Sequence, residues 1–256
     1  MPILEETTTV DASEWLPDAE VAILPAGSTE QHGPAMPLCT DFMAAETVAR
    51  GIADRADVAV LPTVPVGVSA HHRHFHGSLW VSEDTFESYL TEILESLPDH
   101  GVEKAVIVNG HGGNVGSIGR IANELYRSET AFVVPWSWWE GVGDTPGEVL
   151  PESTSVPGHA GAFETAMILY AAAELVRTER FEEAATGQGD GRRWPEPAPR
   201  GYDFADWTDN GIHGDPRPAT AAAGEALFEA ARDSLDELVD WLAAESVDNL
   251  RPREHK

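Results

Sequence analysis

The sequence predicts an α/β fold: three layers, α/β/α, with helices on both faces of a mainly parallel sheet. Three observations carry this. Short apolar runs alternate along the chain with segments of helical period. Polar, metal-type side chains gather just past the ends of those runs, where parallel sheets collect functional groups. The chain has 256 residues, enough for a substantial core. Residues 1–256 are read as one domain.

The elements follow in order. Residues 12–16 are predicted as a first helix, capped by Asp11. The run 21–24 reads as a buried strand that breaks at Pro25 and Gly27 into a loop carrying Glu30, His32 and Asp41. A helix over 43–55 follows, with Asp41 at its mouth as a candidate cap. Residues 58–62 form a second strand and lead into a histidine-rich loop, VPVGVSAHHRHFHGSL. Ser82 caps the next helix, and Glu83 and Asp84 in its first turn favour the helix dipole. Its apolar positions Phe86, Leu90, Ile93, Leu94 and Leu97 keep helical spacing.

Residues 105–108 give a third strand, ending in NGHGGN, where Asn114 can cap a helix that aligns Val115, Ile118, Ala122 and Leu125. Residues 131–135 give a fourth strand, followed by WSWW. A helix is predicted over 159–175. Residues 185–218, rich in Gly, Pro and charge, are long for a loop, and such loops serve as lids, interface arms or disorder. The last helix carries Leu227, Ala231, Leu235, Leu238 and Leu242.

Charge narrows the function. Asp and Glu number 44 against 16 Lys and Arg, a formal net charge of -28. The acids are scattered, as in a solubility coat suited to high salt, and a halophilic source is expected. Nucleic-acid binding through clustered basic residues is disfavoured. With one cysteine, Cys39, no intrachain disulfide forms, and Cys39 is expected to pack. No apolar run reaches the roughly 20 residues of a membrane span, and the N-terminus has no signal-peptide pattern. A soluble, cytoplasmic protein is expected.

Glu30, His32 and Asp41 offer a carboxylate, an imidazole and a second carboxylate on one loop, a donor set for a divalent metal. Asp41 can cap its helix and also bridge two ions. His111 sits among glycines at a strand-to-helix turn, well placed as a ligand. The NGHGGN stretch lacks the phosphate-loop patterns. His71, His72, His74 and His76 form either a second metal site or, as favoured here, a pocket lining in which one or two contact substrate, with His72 and His74 the candidates. His159 can act as general acid or base, or stabilise a transition state. Glu164 can be a ligand or an acceptor that orients one. Trp136, just past a strand, is the candidate pocket wall; Trp138, Trp139 and Trp194 read as core.

GSTEQHGPAMPLCTD, VGVSAHHRHFHGS, VNGHGGN, HAGAFET and GIHGDPRPATAAAGE resemble, in that order, successive motifs of the creatininase (creatinine amidohydrolase) family over about residues 20–230. The resemblance implies a metal-dependent amidohydrolase with a parallel sheet, two divalent ions per subunit (Zn, Mn or Fe) and a homo-oligomer, often a hexamer. It implies Glu30 and His111 at the first metal, His32 at the second, Asp41 bridging them, and His159 as the catalytic histidine. An activated water would attack an amide carbonyl, and His159 or a carboxylate such as Glu164 would pass a proton to the leaving nitrogen.

The chain also departs from creatininase proper. Gly113 stands where that enzyme has a glutamate ligand of the second metal. Gly158 stands for the glutamate before the catalytic histidine, Ser155 for a pocket tryptophan, and Pro34 and Ala35 for histidines. The second metal is expected to recruit Glu164 or to be weakly bound. The substrate is expected to be a small cyclic amide or a formamide. The alternative is the formamidopyrimidine nucleotide of flavin and deazaflavin synthesis, whose archaeal deformylase has a similar third motif. A further alternative is a non-catalytic, metal-binding accessory protein.

Overall fold

The computed structural model describes residues 3–154, 158–186 and 203–253. Its sheet has four parallel strands, β1 (Val21–Ala26), β2 (Val58–Val60), β3 (Lys104–Asn109) and β4 (Phe132–Ser137), in the order β2-β1-β3-β4. β1 and β3 are central and buried along their whole length, which is why both read as continuous apolar runs.

The helices are α1 (Thr9–Trp15), α2 (Thr40–Arg50), α3 (Glu83–Glu95), α4 (Val115–Ser128), α5 (Thr145–Val149), α6 (Ala162–Ala172), α7 (Phe181–Ala185), α8 (Ala221–Ala244) and α9 (Val247–Leu250). Strand alternation divides the core in two. Val21 and Ile23 of β1 face α2, α6 and α8, whereas Ala22 and Leu24 face α3 and α4. The three-layer α/β/α prediction is therefore realised.

The long helices form for readable reasons. The Ser82 hydroxyl accepts a hydrogen bond from Thr85 N–H, and Phe86, Leu90 and Leu94 then recur every fourth residue on the buried face of α3. Thr220 caps α8 in the same way, and Leu227, Ala231, Leu235, Val239 and Leu242 bury its stripe.

Several local expectations need correction. Thr8, not Asp11, caps α1; Asp11 returns the bond from the third helical position, completing a capping box. α2 begins at Thr40, so Asp41 lies inside its first turn and is free of capping duty. The Asn114 side chain does not cap α4. It accepts from Val68 N–H at 2.9 Å and donates to Gly27 O at 3.1 Å, stitching together three loops. Val115 is exposed, and Ile121 takes its place on the buried face. Leu238 is only half-buried, and Val239 fills the core. His159 precedes α6 and pairs its backbone with His213. Ser155 and Trp194 lie outside the described residues.

Candidate metal centre

Parallel register brings the site together. Ala26 at the end of β1 is level with Asn109 at the end of β3, so the loops that follow run side by side. Asn109 then locks the second loop: its carboxamide accepts from His111 N–H at 3.1 Å and donates to His111 O at 2.8 Å. α2 delivers Asp41, α6 delivers Glu164, and the loop after β2 delivers His71 and His72.

Asp41 lies between two imidazoles. Its Oδ1 is 3.0 Å from His32 Nε2, and its Oδ2 is 3.0 Å from His111 Nδ1. Glu30 Oε1 is 3.3 Å from His111 Nδ1, 3.4 Å from His72 Nε2 and 3.7 Å from His159 Nδ1. Glu164 Oε2 is 3.7 Å from His32 Nε2.

Second bonds orient the rings. His32 Nδ1 is 3.2 Å from Glu30 O, and His111 Nε2 is 3.1 Å from Val68 O. Each nitrogen can donate there, so the opposite nitrogen faces the carboxylates, protonated in the metal-free ring and free to offer its lone pair to a cation once that proton leaves. His159 Nε2 donates to Gln31 O at 2.7 Å, leaving Nδ1 toward Glu30.

Despite this proximity, both Glu30 oxygens, Asp41 Oδ2 and His32 Nε2 are buried without a well-aligned hydrogen bond. Buried carboxylates without donors are costly. A cation is the partner this donor set fits, and the convergent groups divide into overlapping sets: Glu30, His32 and Asp41; Glu30, His71 and His111; Glu30, His72 and His159; and His32, His159 and Glu164.

The charges respond to that crowding. Burial lifts Glu30 above its ordinary range, and Asp41 adds to the effect, although the imidazoles oppose it. Burial opposes charge on His32, but Asp41 outweighs it and raises the ring to about 9. His111 is likewise raised against burial, by Glu30 and Asp41. Asp41 is held well below the usual carboxylate range by the two histidines, against burial. Burial, reinforced by neighbouring imidazoles, depresses His159 and His72, and it lowers His71 to about 4. Burial lifts Glu164 to about 7.

The structure thus brings Glu30, His32, Asp41, His111, His159 and Glu164 into one buried cluster. His72 joins it. His74 does not: its ring is half-exposed, with Nε2 3.2 Å from Asp203 Oδ2. Trp136 packs on the core beside α8, over Gly141, and makes no ring contact with the histidines among the described residues. Its placement is that of a core residue rather than a pocket wall.

Two participants, Gln31 and Phe204, were missed, and a third, His71, was named only within the histidine cluster. His71 stacks on His111 with centroids 5.6 Å apart and joins a donor set; the HHRH run was the signal. Gln31 donates to Gly211 O and lies 2.9 Å from His72 Nδ1, tying the first motif to the histidine loop; its place between Glu30 and His32 was the clue. Phe204 touches His72 and His159, and nothing in the sequence marked it.

The fold and this cluster define a metal-dependent amidohydrolase. The chain belongs to the creatininase family: the family described as creatinine amidohydrolase matches residues 5–239. It is 31% identical over 257 residues to the mycofactocin precursor peptide peptidase of Mycobacterium tuberculosis, covering 94% of each chain. A crystal structure of creatinine amidohydrolase superposes with a TM-score of 0.80 at 25% identity, covering 96% of this chain and 99% of that one. The deformylase of 2-amino-5-formylamino-6-ribosylaminopyrimidin-4(3H)-one 5'-monophosphate from Methanococcus voltae is 37% identical, but over 98 residues, 37% of this chain. No helix among the described residues is long and apolar enough to cross a membrane.

Proposed function

We propose that the protein hydrolyses an amide bond in a peptide-derived substrate, using two divalent ions held by this cluster. The observation that carries the reading is Asp41, whose two oxygens face His32 and His111 from opposite sides. One ion would take Glu30, Asp41 and His111, with His71 adjacent; the other would take His32, Asp41 and Glu164. Such ions supply Lewis acidity and lower the pKa of water toward neutrality.

The chain's own groups manage protons and position. His159 is neutral at physiological pH because burial and neighbouring imidazoles oppose its charge. Its Nδ1 can accept a proton inside the cluster and return it to the leaving nitrogen. Glu164, lifted to about 7, is partly protonated near neutral pH in the metal-free cluster, and an ion bound to it would displace that proton. Gln31 O fixes the His159 ring through Nε2.

A peptide amide is favoured over creatinine on two grounds. The peptidase relative aligns over 94% of both chains. Gly113 and Gly158 also cannot carry the glutamates of creatininase proper: an added Cβ would lie 2.2 Å from Val68 O and 2.4 Å from His213 O, respectively. The small cyclic amide and the formamide remain arms of the test. The partner is the substrate itself, within a cytoplasmic homo-oligomer, a hexamer by family resemblance, acting without nucleic acid or membrane.

Zinc- or manganese-loaded protein should cleave members of a short-peptide panel and form no creatine from creatinine. Creatine formation faster than any peptide cleavage would overturn the substrate assignment, and preferential formate release would favour the nucleotide. Fewer than one ion per chain, unchanged by Asp41→Ala, would sink the hydrolase and leave the accessory reading.

A further inference from the structure

Asp203 and Phe204 arrive at the site from just ahead of the GIHGDPRP motif, distant in sequence from Glu30, His72, His111 and His159. The Phe204 ring stacks on His72 at a centroid separation of 4.6 Å and an interplanar angle of 24°. It also lies 4.6 Å from His159, tilted by 59°. Trp207 follows at 6.2 Å, nearly parallel to Phe204, and is 40% exposed, so an aromatic rim continues outward from the covered histidines.

The backbone beneath this ring is anchored from the other side. Asp203 Oδ2 accepts from Arg73 Nη2 at 2.7 Å and lies 3.2 Å from His74 Nε2. Arg73 and His74 belong to the same histidine-rich loop as His72. The loop therefore presents His72 to the ring and grips the residue before it. One exposed ion pair contributes little, but here two partners converge on one carboxylate, 12% exposed, beside the ring it must place.

We infer that Phe204 is a specificity-determining residue: it forms the aromatic wall over His72 and His159, positioned by the Asp203–Arg73–His74 clamp, and selects substrates with a flat or apolar group beside the scissile amide. The inference deepens the amidohydrolase reading and rests on it for the substrate. The wall itself is a property of the metal-free chain. A group reaching His159 has to move this ring or lie against it, and the ring face favours an aromatic or aliphatic neighbour over a charged one. Arg73 and Asp203 are positioning residues, acting through Phe204.

Access to His159 is the direct measurement. Metal-free protein is treated with diethyl pyrocarbonate, and carbethoxylation of His159 is followed by peptide mass spectrometry, with exposed His100 as internal control. Phe204→Ala should speed modification of His159 by roughly an order of magnitude, while His100 is unchanged. Arg73→Gln should speed it by less, Phe204→Tyr should retain the slow rate, and Arg73→Lys should restore part of it. Equal His159 rates in all five proteins, wild type included, would overturn the wall.

Zinc-loaded protein and the short-peptide panel supply the second readout. Phe204→Ala should raise KM most for peptides with an aromatic or aliphatic group at the cleaved bond, changing kcat less, and so flatten the preference. An unchanged preference would overturn the specificity role. Absence of zinc uptake by the wild type would sink the amidohydrolase reading together with the specificity role, while the His159 rates would still report on the wall.

Discussion

Glu164 reaches His32 from the first turn of a different layer element: its Oε2 is 3.7 Å from His32 Nε2 and accepts a 2.6 Å hydrogen bond from Ala160 N–H. That bond aims the carboxylate. Ala160 has φ 56, a left-handed backbone that costs an alanine about 1–2 kcal/mol. In this conformation the Ala160 N–H points at Glu164, next to His159. Glu164 thereby stands where a second cation would need an oxygen, the ligand that Gly113 cannot supply.

Glu164→Gln should therefore lower metal content toward one ion per chain and reduce amide hydrolysis on the order of 10- to 100-fold. Asp41→Ala should remove both ions, since Asp41 faces both histidines. Metal analysis of the two variants after gel filtration checks this. Two tightly held ions in Glu164→Gln would remove Glu164 from the ligand set.

Gly113 is fixed by space as well as by chemistry. An added Cβ would lie 2.2 Å from Val68 O and 2.4 Å from His111 Nε2. Val68 O is also the acceptor that orients His111. Gly113→Ala should cost about 1–3 kcal/mol in urea denaturation and weaken metal binding by turning His111. Gly113→Glu should not build a creatininase-type second site.

Much of this was readable in the sequence, for identifiable reasons. The strands showed because β1 and β3 are buried on both faces, and α3 showed because its apolar residues keep one face. The ligand cluster showed because parallel strands send their loops to one edge, so Glu30 and His111 had to meet. What escaped depends on contacts between distant segments. Asn114 has an N-cap position and a capping side chain, yet bonds to Val68 and Gly27 across loops. Trp136 has the right strand end for a pocket wall, but packs beside α8. His159 sits in HAGAFET, which reads as helix, but its backbone bonds to His213 instead. Phe204 gave no local signal because its only argument is the pair of rings it covers.

The metal-free cluster should bind protons where the loaded one binds ions. His32 is raised from 6.5 to about 9, so in the metal-free protein it carries a proton at neutral pH. A cation needs the neutral ring and displaces that proton. Zinc uptake at pH 7 should release protons, seen as a buffer-dependent heat in titration calorimetry, and affinity should climb as pH approaches 9. The sign for stability is opposite. The charged ring beside Asp41 stabilises the metal-free fold fully below pH 6.5, and this contribution, on the order of 3 kcal/mol, is lost as pH rises through about 9. Asp41, depressed below its ordinary 3.8, contributes stability above that value and loses it as pH falls further. Buffer-independent heats of zinc binding would contradict the charged state assigned to His32.

Lys104 tests a structural use of charge. Its ammonium is 5% exposed and donates to Leu242 O at 3.0 Å, Glu245 O at 3.1 Å and Glu20 Oε2 at 3.0 Å, capping the end of α8. Lys104→Met should cost about 1–3 kcal/mol by leaving those carbonyls unpaired, with metal content unchanged. A destabilisation below about 0.5 kcal/mol would show that water replaces the ammonium.

The acidic surface sets the last prediction, because salt acts on it in two opposing ways. The 16 Lys and Arg are shared among 44 acids. Arg55 alone pairs with Asp57, Asp236 and Asp240, and Arg50 with Glu5, Glu6 and Glu46. Screening weakens these partly exposed pairs, each worth about 0–1 kcal/mol. It also relieves repulsion among the remaining acids of a chain with formal net charge -28. The Debye length falls from about 10 Å at 0.1 M to about 3 Å at 1 M, so most of the long-range repulsion disappears over that interval, while pairs in contact keep part of their attraction. Relief of repulsion wins. The Tm should rise by several degrees between 0.1 and 1 M NaCl or KCl, and amide hydrolysis should rise with it. A flat or falling Tm in both salts would refute adaptation of this surface to high salt.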